Sequence, residues 1–390
     1  MATIPLRRHD DATLVEPAPE VVRPNGIQSA SWIKQRSSRL KVEWQNLGET
    51  AVEPNPFCEE WLLGPALEAF DPAGSVKLVT FRRNGQLCGL LPLCQSTSYY
   101  GYPIPHVRGW LHDNAFCGLP LVTKGCEHDF WSALIDWASS EFKTALTLHL
   151  AHIPEESDLY TALCEVLSNS STPASIVSRD DRAMLRSSLS ASDYFEASMS
   201  GKKRKELRRQ ERRLSELGQL GFERLTDQTD VGEWADAFLN LEAAGWKGDE
   251  ASALASKPTT TAFFRNSLTA AANAGKLERL SMTLNGKPIA MLVNFLTAPG
   301  AFSFKTAFDE QYARFSPGVL LQKHNLGLLD NTAIAWADSC AASDHPMIER
   351  IWREKRTMLR INIALGGPIR RFAFKQMAKQ ESGAQPLGGW

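Results

Sequence analysis

The sequence has no run of apolar residues near the roughly 20 that a membrane-spanning helix needs. Its net charge is only -1 over 390 residues, which argues against a globally basic nucleic-acid-binding protein. No two of its seven cysteines have C-x-x-C spacing, so neither a metal site nor a disulfide framework is legible, and a cytoplasmic location is favoured over secretion. The N-terminus lacks an apolar signal core, and its prolines and acids predict a mobile leader over residues 1–25.

What the sequence does contain is a repeated pattern. The stretches "LVTFRRNGQLCGLLPL" and "LSMTLNGKPIAMLVNF" each read as a strand, an Asn-Gly turn and a second strand. Each stretch follows a helical segment and leads to another strand, a glycine turn and a helix. The length is sufficient for two domains with buried cores. The pattern therefore predicts two copies of one α/β unit, a first domain over residues 26–190 and a second over residues 191–390.

The second copy shows its elements more clearly. The segments "SGKKRKELRRQERRLSEL" and "EWADAFLNLEAAGWKG" have helical apolar spacing, and "GAFSFKTAF" is typical of a strand. A long helix is predicted after Ser316-Pro317-Gly318, followed by a short buried strand in "IAWADSCAA". Another helix is predicted in "SDHPMIERIWREKRTML" with Asp344 as its N-cap, and "INIALGGPIRRFAF" is predicted to form two closing strands.

Four stretches then carry a family resemblance: "GKKRKELRRQERRL", "FLNLEAAGWKG", "FKTAFDEQYARFSPGVLL" and "ADSCAASDHPMIERIWREKR". With the order of elements, they resemble the GNAT acyltransferase fold, and more closely its CelD-like branch, named for a protein linked to bacterial cellulose biosynthesis. The tandem arrangement is similar to the FemAB aminoacyltransferases. The resemblance implies an α/β (α+β) protein of two tandem GNAT-like domains. Each domain would have a mixed, mostly antiparallel sheet flanked by helices.

The resemblance also implies a donor site. In a GNAT unit the diphosphate of coenzyme A lies at a helix N-terminus, where free N–H groups and the helix dipole favour an anion. The matching donor-binding positions here are Lys305, Arg314, Ser316, Gly318 and Gln322. The turn departs from the usual GNAT loop, because it has one glycine and Pro317 has no N–H to donate. An acyl-carrier protein or an aminoacyl-tRNA therefore stays open as the donor, and so does a plain Ser-Pro helix start.

Acyl transfer to an amine needs a base, and three residues are candidates: Glu242, Asp338 and His345. Glu242 borders an apolar stripe, Asp338 ends a strand, and a histidine titrates near neutral pH. The alternatives are that Glu242 pairs with Lys247 and that His345 is an exposed first-turn residue. Cys340 lies beside this group, so a covalent acyl-cysteine stays open, and no metal is predicted.

The predicted substrate-binding residues flank the same motifs. They are Trp246, Lys247, Asp309, Tyr312, Trp352 and Arg356. Trp352 has a core position as its alternative, and Lys305 has pairing with Asp309 as its alternative. The stretch "YYGYPIPHVRGW" in the first copy would line a cleft or an inter-domain face, and it is predicted to be mostly architectural.

A basic run completes the pattern, since eight of the twelve residues from Lys202 to Arg213 are Lys or Arg. Such a run is typical of a solvated helix face, and it also suits RNA phosphates, an anionic acyl-carrier protein, lipid head groups or a charged polysaccharide precursor. No aromatic residue is interleaved, which argues against base stacking.

The resulting hypothesis is an N-acyltransferase that uses acetyl-CoA or another acyl-CoA. Its acceptor would be a small-molecule or glycan-precursor amine, in polysaccharide or cell-envelope biosynthesis. Two alternatives come from other classes of protein. One is a FemAB-like transferase that depends on aminoacyl-tRNA or acyl-carrier protein. The other is a non-catalytic accessory subunit of an exopolysaccharide system.

Overall fold

The computed structural model describes residues 25–381 and 383–388, so the predicted mobile leader lies outside the described residues except for Asn25. The strands are β1 Gly26–Ser31, β2 Lys77–Arg83, β3 Gln86–Ser96, β4 His106–Gly109, β5 Leu121–Val122, β6 Thr147–Pro154, β7 Ala174–Leu185, β8 Leu220–Leu225, β9 Leu277–Leu284, β10 Lys287–Thr297, β11 Gly300–Phe308, β12 Trp336–Asp338, β13 Glu354–Ala364 and β14 Gln385–Leu387. The α-helices are α1 Trp32–Gln35, α2 Ser38–Thr50, α3 Glu60–Phe70, α4 Glu127–Glu141, α5 Asp158–Asn169, α6 Ala191–Ser198, α7 Gly201–Ser215, α8 Val231–Ala243, α9 Trp246–Asp249, α10 Pro258–Asn273, α11 Pro317–Asn325 and α12 Pro368–Gln380. No helix among these residues is long and apolar enough to cross a membrane.

The strands form one continuous sheet in the order β1-β2-β3-β4-β6-β13-β7-β12-β11-β10-β9-β8, with β5 beside β3 and β14 beside β7. Only the β4–β6 and β11–β12 pairs are parallel, and all other neighbours are antiparallel. Helices flank the sheet, so the predicted fold class, a mixed and mostly antiparallel α/β architecture, is confirmed.

The sheet order also confirms the internal repeat. Strands β1-β2-β3-β4-β6 of one half correspond to β8-β9-β10-β11-β12 of the other. Both hairpins turn on Asn-Gly with positive φ, 52° and 76° at Asn84 and Gly85 and 52° and 78° at Asn285 and Gly286, as a type I′ turn requires. Strand β13 of the second copy lies between β6 and β7 of the first, so the sheet continues past the predicted boundary at residue 190, which stays a prediction.

A shared core joins the two halves. Helices α3 and α10 pack against each other. The ring centroids of Trp61 and Phe295 lie 5.1 Å apart, and those of Phe57 and Phe302 lie 5.7 Å apart, each pair uniting one residue from each copy. Such edge-to-face pairs add to the hydrophobic burial that holds the copies together.

Three predicted elements near the C-terminus are wrong. The segment expected to be a helix from Ser343 onward forms turns up to Ile351, and β13 then begins at Glu354. Asp344 is no N-cap, because no helix follows it; it lies in the turn segment with a φ of 58°. Strand β13 is paired on both sides, by β6 and β7, and this central pairing overrides local helical preference.

The other two errors concern the helix after Gly318 and the chain after Gly367. Helix α11 ends at Asn325, a 3₁₀ turn follows over Leu326–Asp330, and Trp336 begins β12 instead of continuing a long helix. The expected second closing strand is helix α12, which starts at Pro368 because proline suits the first helical position.

Candidate active site

Lys305 lies on β11, beyond the three residues Gly300–Phe302 that pair with β12. Its half-buried Nζ is 5.3 Å from the ring centroid of Phe116 and 5.5 Å from that of Phe304. The predicted alternative, pairing with Asp309, does not occur, and the Asp309 carboxylate lies 4.0 Å from Lys287 instead. Burial, followed by the positive charge of Lys247, lowers the pKa of Lys305 to about 8. Lys305 is therefore an ammonium group that lies between two aromatic rings and loses its proton more readily than an ordinary lysine.

Glu242 is buried at the end of α8, and both of its oxygens are engaged. Oε1 accepts a hydrogen bond from Lys247 Nζ at 2.8 Å, and Oε2 accepts one from the backbone N–H of Leu254 at 2.8 Å. The structure thus shows the pairing with Lys247 that was the alternative. Glu242 fixes the turn around α9 and holds the Lys247 charge beside the site.

His345 lies in the turn segment that joins β12 to β13, half-buried and outside any helix, so the exposed first-turn alternative is wrong. Its buried Nδ1 has no hydrogen-bond partner among the described residues. Burial, and then the charge of Lys247, lowers the pKa of His345 below its ordinary value. A neutral imidazole with an unoccupied nitrogen is suited to accept a proton.

Asp338 has a different environment from the other two base candidates. It is fully buried, and it accepts hydrogen bonds from Arg182 Nη2 at 2.5 Å, from Arg356 Nη1 at 2.9 Å and from the Cys340 N–H at 2.9 Å. Burial raises its pKa, but the two guanidinium groups outweigh burial and keep the pKa below its usual value. A carboxylate held ionised in this way is a weak base.

The neighbours of Asp338 are equally enclosed. The Arg356 guanidinium lies 4.3 Å from the ring centroid of Trp336, and Trp352 is completely buried, which favours the core alternative for Trp352. Burial, together with the Asp338 charge, raises the pKa of Cys340 well above its ordinary value. The Cys340 thiol therefore stays protonated and is a poor nucleophile.

The predicted donor helix begins at Pro317, after Ser316 in the left-handed region at φ 55°. Gly318 is buried, and a Cβ placed there would lie 2.5 Å from the Met347 sulfur and 3.2 Å from the Phe308 ring. The glycine thus permits close packing of the turn segment that carries His345. The same packing covers the start of α11.

The remaining predicted residues spread around this helix. Gln322 is buried and accepts from Asn325 Nδ2 at 3.2 Å, whereas Arg314 is exposed and lies 4.7 Å from the centroid of the Phe315 ring. Asp309 caps a 3₁₀ turn by accepting from the Gln311 N–H at 3.0 Å. Tyr312 is half-buried in that turn, and Trp246 is 51% exposed beside Lys247.

A cavity of about 470 Å³ lies between the two copies, and sequence reasoning predicted only part of its wall. The first copy contributes most of its lining, and the second contributes the loop after β12 and Arg360. The lining residues include Tyr100, Arg108, His112, Phe116, His149, His152, Cys340 and Arg360. Phe116 also contacts Lys305, so the cavity opens beside the candidate site. The stretch "YYGYPIPHVRGW" was expected to line a cleft or an inter-domain face with a mostly architectural role, and it contributes Tyr100 and Arg108 to this wall.

Residues 201–341 match the sequence model of the acetyltransferase (GNAT) domain family. The matched segment is less than half of the chain, and it shows a similarity to that family. It contains Lys305, Glu242, Lys247 and Asp338, and it ends just before the turn segment that carries His345. No group of three or more His, Cys, Asp or Glu side chains within residues 25–381 and 383–388 could hold a metal ion.

Solved structures share the fold of the whole chain. FemX is 9% identical, with a TM-score of 0.52 over 87% of this chain and 98% of FemX. The C-terminal DUF2156 domain of a putative lysylphosphatidylglycerol synthetase from Agrobacterium fabrum is 12% identical, with a TM-score of 0.50 over 91% of this chain and 99% of that domain. A conserved protein of unknown function from Bacteroides thetaiotaomicron is 10% identical, with a TM-score of 0.50 over 83% and 97% of the two chains. No curated protein sequence matches the chain.

Proposed function

We propose that the protein is an N-acyltransferase of the CelD-like branch, which transfers an acyl group from acyl-CoA, acetyl-CoA in the first instance, to an amine. The observation that carries the proposal is that Lys305 and His345 both lie close enough to Lys247 for its charge, after burial, to lower their pKa values, and that Lys305 and Lys247 belong to the segment that matches the GNAT family. In the proposed reaction the amine nitrogen attacks the thioester carbonyl. The C–N bond forms, the C–S bond breaks, and the coenzyme leaves as a thiolate.

His345 is the proposed proton acceptor, because its Nδ1 is buried and lacks a partner among the described residues. Burial, and then the charge of Lys247 held by Glu242, lower the pKa of His345 and so favour the neutral imidazole before the reaction. Asp338 is assigned a positioning role, since it ties the strand ahead of His345 to β7 and β13. The high pKa of Cys340 favours direct attack over an acyl-cysteine intermediate.

The donor is proposed to bind at the start of α11, where the N–H groups of Gly318 and Val319 are free of helical partners. Met347 covers Gly318, so donor binding requires that the thioether move aside. The phosphates of the donor are proposed to contact Lys305, Arg314 and Ser316. The setting, cytoplasmic polysaccharide or cell-envelope biosynthesis, is part of the same proposal.

A second donor class is favoured by one observation. Four basic residues of α7 form no ion pair with any carboxylate in residues 25–381 or 383–388, namely Lys202, Lys203, Lys205 and Arg213. Helix α7 runs beside the proposed donor site, because Gln210 Nε2 donates to the Arg314 carbonyl at 3.4 Å. An acidic acyl-carrier protein docked on α7 would place its thioester near α11.

The test is a titration of acetyl-CoA by calorimetry, followed by detection of released thiol in the presence of a panel of amines. We expect micromolar binding to the wild type, and turnover that falls at least a hundredfold in His345→Gln with binding retained. The matched control is His128→Gln, an exposed histidine of the first copy. Absence of both binding and turnover with every short acyl-CoA would reject this donor and direct the search to acyl-carrier protein.

A further inference from the structure

We infer that the cavity between the two copies is an oxyanion site, which binds a phosphate or carboxylate group of the acceptor. The inference rests on the proposed function in one respect only, because it identifies the ligand as the acceptor of the acyl group. The site itself stands on the charges, hydrogen bonds and backbone geometry of the cavity wall.

Two arginines of the cavity wall have no carboxylate partner among the described residues. Arg108 on β4 and Arg360 on β13 line the cavity and form no salt bridge with a described carboxylate, whereas the third wall arginine, Arg182, is bound to Asp338. Asp113 also lines the cavity, and Asp180 lies close enough to act on His152. Two guanidinium groups without a carboxylate partner, both at the wall of one open cavity, suit an anion with two or three oxygens.

The histidines of the wall are neutral acceptors. His149 Nδ1 lies 2.8 Å from the Asn362 side-chain oxygen, and the amide nitrogen of Asn362 donates to the Tyr99 hydroxyl at 2.7 Å. The amide orientation makes His149 Nδ1 the donor and leaves Nε2 with a lone pair. Burial lowers the pKa of His149 to about 4, so this tautomer persists at neutral pH. Beside two arginines, such an acceptor suits a hydroxyl group of the same ligand.

The backbone under the cavity is irregular where these side chains emerge. The pairing of β13 with β7 shifts register between Arg360 and Ile361. Its pairing with β6 shifts register between Leu359 and Ile361. On β6, His152 adopts a positive φ of 54° at the same level. A β-bulge re-aims a side chain, and bulges are frequent beside active sites. The irregularity thus accompanies the placement of His152 and Arg360 in the wall.

The cavity is continuous with the candidate active site. The Phe116 ring lines the cavity, and its centroid lies 5.3 Å from Lys305 Nζ. A ligand with its oxyanion between Arg108 and Arg360 would therefore extend towards Lys305 and His345. The class of acceptor that fits is a hydroxylated amine that also bears a phosphate or a carboxylate, such as a sugar phosphate or sugar acid derivative.

The test measures binding of inorganic phosphate, glucuronate and glucose to the full chain by calorimetry or ligand-detected NMR. We expect phosphate, glucuronate or both to bind with millimolar affinity and glucose not to bind. The anion with the higher affinity shows whether the oxyanion of the ligand is a phosphate or a carboxylate. Arg108→Gln and Arg360→Gln should each weaken anion binding about tenfold, whereas Arg265→Gln, at an exposed ion pair with Asp236, should leave it unchanged.

Absence of anion binding, or equal binding by Arg108→Gln, Arg360→Gln and wild type, would overturn the inference. Thermal unfolding of each variant verifies that the fold is retained. The proposed function is tested separately by acetyl-CoA binding and thiol release. Anion binding without acyl transfer would support the oxyanion site and reject the acyltransferase proposal. Acyl transfer without anion binding would support the acyltransferase proposal and reject the oxyanion site.

Discussion

The two copies of the α/β unit have the same framework but differ after the fourth strand. In the second copy, β11 is followed by a short 3₁₀ turn and then α11, with Gly318 in its first turn. In the first copy, β4 is followed by residues 110–120, which bury Ala115, Cys117 and Leu119 in the shared core, and by β5 before the corresponding helix α4 begins at Glu127. The second copy therefore reaches a helix N-terminus directly after its 3₁₀ turn, whereas the first copy interposes a buried segment. The two copies share the hairpin and the strand order, and the first contributes most of the wall of the cleft.

The largest expected effect is at the point where the copies join. Asp338→Asn should lower the free energy of unfolding by about 3–5 kcal/mol, because it leaves the buried Arg182 and Arg356 without their carboxylate. Urea denaturation measures this loss. Asp236→Asn, at an exposed ion pair with Arg265, should cost less than about 1 kcal/mol. Equal effects of the two substitutions would show that the buried triad does not secure the join.

The next effect is on kcat/KM, which we expect to depend on a histidine after the GNAT-like segment of the second copy and not on one in the first copy. In His345→Gln we expect kcat/KM to fall by about 10²–10⁴ with little change in Tm, whereas His128→Gln in the first copy should keep full activity. The pKa of His345 lies below its ordinary value, so the base form prevails at neutral pH and is lost only as pH falls through that lowered pKa. A plot of kcat/KM against pH measures this loss. An unchanged acidic limb in His345→Gln would assign the base to another residue.

The sequence predicted the parts of the molecule that depend on local pattern. The Asn-Gly hairpins, the strand around Lys305 and the helix opened by Pro317 all follow from turn chemistry and periodicity, which are readable one segment at a time. The segment from residue 343 onward was mistaken for a helix, since its pairing between β6 and β7 depends on strands distant in the chain. The part of the cavity wall outside "YYGYPIPHVRGW" was missed for the same reason, namely its dependence on contacts between distant segments. Arg108 and Arg360 come together only through the insertion of β13 into the first copy's sheet.

A smaller effect concerns stability. Lys305→Met should raise Tm by roughly 2 °C at pH 7, because it removes a half-buried charge that burial disfavours. The pKa of Lys305 is about 8 in the folded protein and 10.5 for an ordinary lysine, so the loss of stability from burying the charge is full below pH 8 and disappears as pH rises towards 10.5. Differential scanning calorimetry at pH 7 and pH 10 should therefore show the gain shrinking. Lys287→Met, at a side chain 74% exposed, is the control, and a loss of stability in Lys305→Met would show that the lysine has a structural partner.

The smallest predicted effect tests whether the start of α11 accepts a donor at all. Met347→Ala removes the sulfur that would lie 2.5 Å from a Cβ on Gly318, and so it uncovers the first turn of the helix. Because the wild type must displace this side chain, we expect the KM for acetyl-CoA to fall about threefold, equivalent to about 0.7 kcal/mol, with kcat unchanged. Gly318→Ala should act in the opposite direction, since its methyl group crowds both Met347 and Phe308. An increase in KM for Met347→Ala would mean that the thioether supports the donor site, and the comparison between the copies would then rest on the cleft and not on the helix N-terminus.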